Sequence, residues 1–370
     1  MSSFFVGEKM SKRIETEKKY YCLKEQELIS KIDVLKFKLV KEGIEIDEYF
    51  TDINSIYIKN RTCLRIRKTN DSMEITFKGK SNDFSSSFTK LESNFDMDLN
   101  NYENFVELFS MIGYYSYTIV NKKRLTYELK DEKYTYSIMI DNIEGLGGFV
   151  EFELLCNSDD YDLDELKIKL NQFASMFNSL NLTEAKLPYR DFVALKQYND
   201  LKPKKEIKGV HLNIDTFLKR YEKDFYNYYK SLLKDDLNTS LKKKEFKENI
   251  YDSLINSDIS KKIDNYFDSL RIQDSNFIAL FELLHQIKSK GLDIVLTTNC
   301  NETFISNVIA KITNGYTFDN IIYLKDSKSI YTVAKKNGID LNNYFNVSTK
   351  NIKNTNSLLL VIINNYGITK

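Results

Sequence analysis

Glu15, Glu17 and Lys19 stand at alternate positions of Ile14-Glu15-Thr16-Glu17-Lys18-Lys19-Tyr20. In an extended strand every second side chain points the same way, so these three share one face. Glu151 and Glu153 repeat the paired carboxylates in Phe149-Val150-Glu151-Phe152-Glu153, and Asp141 ends the run Ser137-Ile138-Met139-Ile140-Asp141. Cations recur with the same spacing: Arg65 with Arg67, Lys78 two places after Thr76, and Lys122 with Arg124. Carboxylate oxygens are hard ligands that suit Mg²⁺ or Mn²⁺ rather than zinc, and such a metal is shared between a few carboxylates and phosphate oxygens. Clustered Lys and Arg suit a polyanion. Together these features describe a triphosphate site.

The elements that must hold these residues share one inversion. Strand after strand in the first half carries charge on one face and apolar residues on the other, as in Cys63-Leu64-Arg65-Ile66-Arg67 and Glu74-Ile75-Thr76-Phe77-Lys78-Gly79. A solvated sheet face is the plain alternative. Three helical segments between the strands could instead cover the apolar faces, leaving the charged ones to line something. One has its apolar residues at Leu28, Ile32, Leu35 and Leu39 and ends at Gly43; the others are NYENFVELFSMIGYY and LDELKIKLNQFASMFNSL. Basic and acidic residues fall on different strands. Closing such a sheet into a barrel gives a polar lumen with a cationic wall and an acidic cluster.

Composition narrows the classes. The 370 residues suffice for two domains, and the net charge of +1 gives no bulk attraction to nucleic acid or an anionic membrane. Cys22, Cys63, Cys156 and Cys300 are scattered without CxxC spacing, which argues against a zinc site or disulfide framework and fits a reducing cytoplasm. With only His211 and His285, a His metal site or a Ser-His triad is not indicated. No apolar run has membrane length, and the start does not read as a signal peptide.

The polar segment 199–208, with Pro203, reads as a linker between a domain at 1–198 and another at 209–370. Beyond it, Gly209 to Thr216 reads as a strand entering a loop, residues 217–290 as a helical cap, and Leu292 to Asn299 as a buried strand. Helix and strand then alternate through NIIYL, IYTVAKKNGI, YFNVS and NTNSLLL to a last strand at VII. The class is α/β with a parallel sheet.

The first half resembles the CYTH superfamily, the triphosphate tunnel metalloenzymes. The likeness rests on Glu15-x-Glu17-x-Lys19, Asp47-Glu48-Tyr49-Phe50, Leu64-Arg65-Ile66-Arg67, Ile75-Thr76-Phe77-Lys78-Gly79, Lys122-x-Arg124, Asp141, Leu146-Gly147, Glu151-x-Glu153, and Lys186 before Pro188-Tyr189. It covers residues 10–197. It implies an α+β domain with an eight-stranded antiparallel barrel, Mg²⁺ or Mn²⁺ on Glu15, Glu17, Asp141, Glu151 and Glu153, and phosphate held by Lys19, Arg65, Arg67, Lys78, Lys122, Arg124 and Lys186. Glu15, Glu17, Lys19, Glu151 and Glu153 would be the catalytic set. The substrate would be tripolyphosphate, ATP or thiamine triphosphate, and the reaction a class IV adenylate cyclase's or a triphosphatase's. The family's Arg-x-Glu-x-Glu run reads here Lys90-Leu91-Glu92-Ser93-Asn94, a departure touching fine specificity.

The second half resembles the haloacid dehalogenase superfamily, a Rossmann-like α/β fold with a helical cap, through Asn213-Ile214-Asp215-Thr216 and Leu296-Thr297-Thr298-Asn299. Where that family carries a nucleophilic Asp, this chain has Asn213, an amide that cannot attack phosphorus. Residues 346–351 hold no acid, and either Lys325 or Lys328 would fill the family's Lys position. The expectation is a catalytically inactive module for binding, regulation or assembly, with a homodimer allowed. The alternative for the whole protein is a nucleotide or polyphosphate sensor without turnover.

Overall fold

The structure is a computed structural model and describes residues 14–79, 88–156, 162–238, 240–248, 255–272, 274–313, 318–324 and 329–366. The chain divides into two compact units, Met1–Leu108 with Tyr117–Ala194, and Phe109–Ser116 with Leu195–Lys370.

The first elements are β1 (Ile14–Tyr21), α1 (Glu25–Val34), β2 (Lys38–Asp52), α2 (Ile56–Lys59), β3 (Cys63–Lys68), β4 (Met73–Lys78) and β5 (Phe88–Met97). They continue with α3 (Tyr102–Met111), β6 (Tyr114–Lys130), β7 (Tyr134–Ile143), β8 (Gly147–Cys156), α4 (Leu163–Ser175), β9 (Thr183–Glu184) and α5 (Tyr189–Leu201). The strands form one sheet in the order β5-β4-β3-β2-β6-β7-β8-β1-β9. β1 also pairs with β5, from Ile14 opposite Leu91 to Glu17 opposite Phe88. What the structure describes is a nine-stranded antiparallel sheet, where the resemblance implies an eight-stranded barrel. The two-residue β9 adds to β1 opposite Tyr20 and Tyr21, and the β1–β5 pairing spans only four positions.

The period-2 alternation does what the sequence requires. On β8, Val150, Phe152 and Leu154 are fully buried against helices α1 and α4, joining Leu28, Ile32, Leu166, Leu170 and Phe173 in one core. The Phe152 ring lies 4.8 Å from that of Phe177 and 5.4 Å from that of Phe173. Burying such a ring contributes about 1.5–3 kcal/mol. Glu151 and Glu153, one residue out of phase, must then point to the other face. An apolar core on the helix side thus turns the charged faces inward together.

One helix is shorter than its spacing suggests. α1 ends at Val34, and Lys36 adopts φ +64°, a left-handed residue that stops the helix. Leu39 and Val40 stand about half exposed in β2, so no core contact rewards a fourth helical turn.

The second unit contains β10 (Gly209–Asn213), α6 (Asp215–Leu237), α7 (Lys243–Lys247), α8 (Ser257–Ser269), α9 (Ser275–Ser289) and β11 (Asp293–Thr298). It continues with α10 (Glu302–Ile312), β12 (Asn320–Tyr323), α11 (Ile330–Lys336), β13 (Tyr344–Val347) and α12 (Ile352–Tyr366). Its four strands are parallel, in the order β12-β11-β10-β13. The central strand β11 is buried on both faces from Ile294 to Thr298 and carries the unbroken apolar run Ile294-Val295-Leu296. Gly209 has no substitute, since a Cβ there would lie 2.0 Å from the Asp293 carbonyl oxygen. The strand expected at the final Val361-Ile362-Ile363 is instead the middle of α12, whose 358–363 run is too short to tell strand from helix by period.

Candidate functional site

The inward charged faces of the first unit line a cavity of about 270 Å³. Twelve of its 17 lining residues are charged, and they come from β1, β3, β4, β6, β8 and α5. The sheet register explains the arrangement. Glu17 stands opposite Glu153 and Lys19 opposite Glu151 between β1 and β8; Arg124 faces Asp141 between β6 and β7, and Arg67 faces Asp47 between β2 and β3. Cross-strand partners lie close enough for their side chains to meet.

The five carboxylates expected to hold metal fall into two groups. Glu15, Glu17 and Glu153 each offer an oxygen, all within 4.8 Å of one another. Burial raises the Glu153 pKa; a hydrogen bond with Glu15 opposes this and the Glu17 charge adds to it. Lys78 reaches Glu15 at 3.2 Å. Three carboxylates gathered this closely repel one another, and the cluster could hold a hard divalent cation.

Asp141 and Glu151 lie apart from that trio in an ion-pair cluster. Arg124 grips Asp141 with two hydrogen bonds of 2.6 and 2.5 Å and reaches Glu151 at 2.6 Å. Glu151 also meets Lys19 at 3.0 Å. Burial opposes ionisation of Glu151, but Lys19, Arg124 and Lys122 outweigh it and hold the carboxyl far below its ordinary range. A third cluster centres on Asp47, fully buried, with Arg67 bonded at 2.6 and 2.8 Å and Lys122 at 3.2 Å. Arg65 donates to Thr76 Oγ1 at 2.8 Å and approaches Glu74 at 3.4 Å.

Of the seven cations expected to bind phosphate, Lys19, Arg65, Arg67, Lys78, Lys122 and Arg124 line the cavity. Lys186 does not; it is exposed in the segment between β9 and α5. Lys90, Glu92, Lys325 and Lys328 lie outside the residues whose side chains are described. Sequence reasoning passed over Glu45, Glu74, Tyr189 and Arg190 as site residues. Glu45 carried a legible signal, since Glu45-Ile46-Asp47 repeats the alternate-acid pattern. Tyr189 was read only as part of the Pro188-Tyr189 segment after Lys186, and Arg190 beside it, in the first turn of a helix, carried no signal.

Glu45 ties the clusters together, with Arg67 at 3.3 Å, Lys122 at 3.4 Å and Arg124 at 3.9 Å. Burial would raise its pKa, yet these three cations and Lys41 bring it from 4.5 to about 2. A carboxyl depressed on folding stabilises the fold above its unfolded pKa, and that contribution fades as pH falls through the folded value. Between about pH 4.5 and pH 2 the protein should lose about 3 kcal/mol through this group alone. Glu45→Gln should flatten the acid limb of urea-unfolding free energy over that window; an unchanged slope would refute the assignment.

In the second unit, Asp215 is buried and fully engaged. Its carboxylate accepts from the Thr298 hydroxyl at 2.7 Å, the Asn299 backbone N–H at 2.8 Å and Asn299 Nδ2 at 3.0 Å. Asn213 Oδ1 accepts from the Asp215 N–H at 3.1 Å. His211 is held between Asn346 and Thr297 at 2.8 and 3.1 Å, a structural setting.

The antiparallel sheet thus brings six of the expected cations and the carboxylate trio to one cavity. Residues 13–187 match the family model of the CYTH domain. A candidate adenylate cyclase of Methanocaldococcus jannaschii is 24% identical over 183 residues, 50% of this chain and 98% of that protein. Among solved structures, a protein of Pyrococcus horikoshii is 25% identical over 49% of this chain and 99% of its own, with TM-score 0.41. A candidate adenylyl cyclase from Hippeastrum with a dominant triphosphatase activity is 14% identical over 48% of this chain and 92% of its own, with TM-score 0.37. No helix among the described residues is long and apolar enough to cross a membrane.

Proposed function

We propose that the first unit is a divalent-metal-dependent enzyme that acts on a triphosphate, and that hydrolysis of an inorganic chain is its best reading. The observation that carries this is the carboxylate trio Glu15, Glu17 and Glu153 in the same cavity as six Lys and Arg side chains expected to bind phosphate. The match of residues 13–187 to the CYTH domain supports it. The cations are already paired with carboxylates: with Arg190 they number seven, against five lining acids, Glu15, Glu17, Glu74, Glu151 and Glu153, and three more behind the lining, Glu45, Asp47 and Asp141, of which Glu45 also pairs with Lys41. Such a cavity has no surplus positive charge for a bare polyanion. It suits a triphosphate that arrives with a divalent cation.

Glu15, Glu17 and Glu153 would hold Mg²⁺ or Mn²⁺, and the carboxylate-only donor set fits either ion. When bound, the metal supplies Lewis acidity toward phosphate oxygens. Lys19, Arg65, Arg67, Lys122 and Arg124 would grip the chain, their own carboxylate partners holding each in place before ligand enters. Positioned charge of this kind lowers the cost of the charge redistribution during phosphoryl transfer without a side-chain nucleophile. Of the two aromatic rings at the described lining, Tyr189 already carries the Lys19 ammonium over its face, which favours a bare phosphate chain over one bearing a base.

The test is incubation with tripolyphosphate and, separately, ATP, each with Mg²⁺ or Mn²⁺. Orthophosphate from tripolyphosphate is expected; cyclic AMP with pyrophosphate from ATP would replace this reading with a cyclase, and no product from either would leave a sensor. For the second unit, Asn213 at the strand end and the fully bonded Asp215 favour a non-catalytic module of haloacid dehalogenase type. Asn213→Ala should leave tripolyphosphate turnover unchanged.

A further inference from the structure

Tyr189 is the first residue of α5 and only 4% exposed; its ring meets two of the cavity's cations, Lys19 closely and Lys122 at 5.5 Å, and its hydroxyl bears on a third, Arg124, through Asp141. The Lys19 ammonium sits 3.8 Å from the centre of its ring. Its phenol hydroxyl donates to Asp141 Oδ2 at 2.9 Å, the same oxygen that Arg124 Nη2 meets at 2.5 Å. Phe149 packs edge-on against the ring at 5.2 Å and fixes its tilt. Among the described residues Lys19 thus has one carboxylate partner, Glu151 at 3.0 Å, and one uncharged partner, the Tyr189 ring.

We infer that Tyr189 is a positioning residue for anion binding, aiming Lys19 with its ring and Arg124 through Asp141 with its hydroxyl. This rests on the triphosphate reading above. The physical reason is charge economy. A second carboxylate in the ring's place would hold Lys19 equally firmly but cancel its charge, whereas an aromatic face attracts an ammonium and leaves its charge available. The planar ring also stops the flexible lysine stem from sampling other rotamers, so less ordering is needed when phosphate arrives.

The experiment is calorimetric binding of a methylene-bridged tripolyphosphate analogue with Mg²⁺, which the protein cannot hydrolyse at its bridges. Tyr189→Leu should weaken binding roughly tenfold, and Tyr189→Phe, which keeps the ring, should recover the Lys19 share. In a Lys19→Met background the Tyr189→Leu penalty should shrink to the smaller share carried through Arg124 and the more distant Lys122 ammonium, 5.5 Å from the ring centre, because the ring has then lost its nearer cation. Equal penalties in both backgrounds would mean a merely structural tyrosine and overturn the proposal. A second readout needs no ligand: the Lys19 ε-methylene NMR signal should carry a ring-current shift that Tyr189→Leu abolishes and Tyr189→Phe keeps. If the analogue does not bind wild-type protein, the triphosphate reading fails and the aiming role falls with it, while the NMR signal still decides the contact. Absence of the ring-current shift in wild-type protein overturns the positioning role whatever binds.

Discussion

Glu17→Gln should lower metal-dependent tripolyphosphate turnover about 10³-fold and weaken Mn²⁺ binding, while the fold should survive. Glutamine keeps the shape of glutamate and one oxygen but loses the charge. With Glu15 and Glu153 it completes a trio whose oxygens all lie within 4.8 Å, so each carries a large share of the attraction for a divalent ion. A factor of 10³ corresponds to about 4 kcal/mol of transition-state stabilisation, the scale of removing one preorganised electrostatic contact in a water-poor site. The same trio predicts a pH dependence. Burial and Glu17 raise the Glu153 pKa, and metal competes with that proton, so apparent metal affinity should climb with pH through the raised value and then level. Turnover and a Mn²⁺ titration midpoint both unchanged in Glu17→Gln would remove the metal from this cluster.

Arg124→Ala should destabilise the first unit by about 3–5 kcal/mol, the usual cost of stripping one partner from a buried ion pair. Arg124 satisfies both oxygens of Asp141, which is fully buried, and one of Glu151, which is 5% exposed. Its loss leaves Asp141 with the Tyr189 hydroxyl and Glu151 with Lys19, too little for two desolvated carboxylates. Arg124→Lys should recover little, because a point charge cannot make the paired hydrogen bonds of a guanidinium. The triple change Arg124→Leu, Asp141→Asn, Glu151→Gln should regain much of the stability and none of the anion binding. That contrast separates the fold's requirement from the site's. Urea unfolding checks it, and wild-type stability in Arg124→Ala would show that the cluster is not closed in solution.

The alternating charges on β1, β3 and β8 were readable because a strand's side-chain period is two, a local property any short window displays. The parallel sheet of the second unit was readable for a similar reason, as apolar runs separated by helical spacing. The end of α1 was not. Whether Leu39 is worth a further helical turn depends on whether a core waits for it, and that core is assembled by residues more than a hundred positions away, Leu166 and Phe173 among them. The helix at Val361–Ile363 was hidden likewise, since burial from every side erases periodicity.

The sequence by itself determined which residue types face inward: acids at 15, 17, 151 and 153, bases at 19, 65, 67, 78, 122 and 124. What only the tertiary structure decided is how these charges are shared out. Strand register sets Glu17 beside Glu153 but Lys19 beside Glu151, and places Asp141 under Arg124, so three acids gather within 4.8 Å of one another, where we propose a metal, while Asp141 and Glu151 pair with cations. Pairing across a sheet joins residues far apart in the chain, and charge attraction acts through space at a few ångströms, so no local pattern records which carboxylate meets which base.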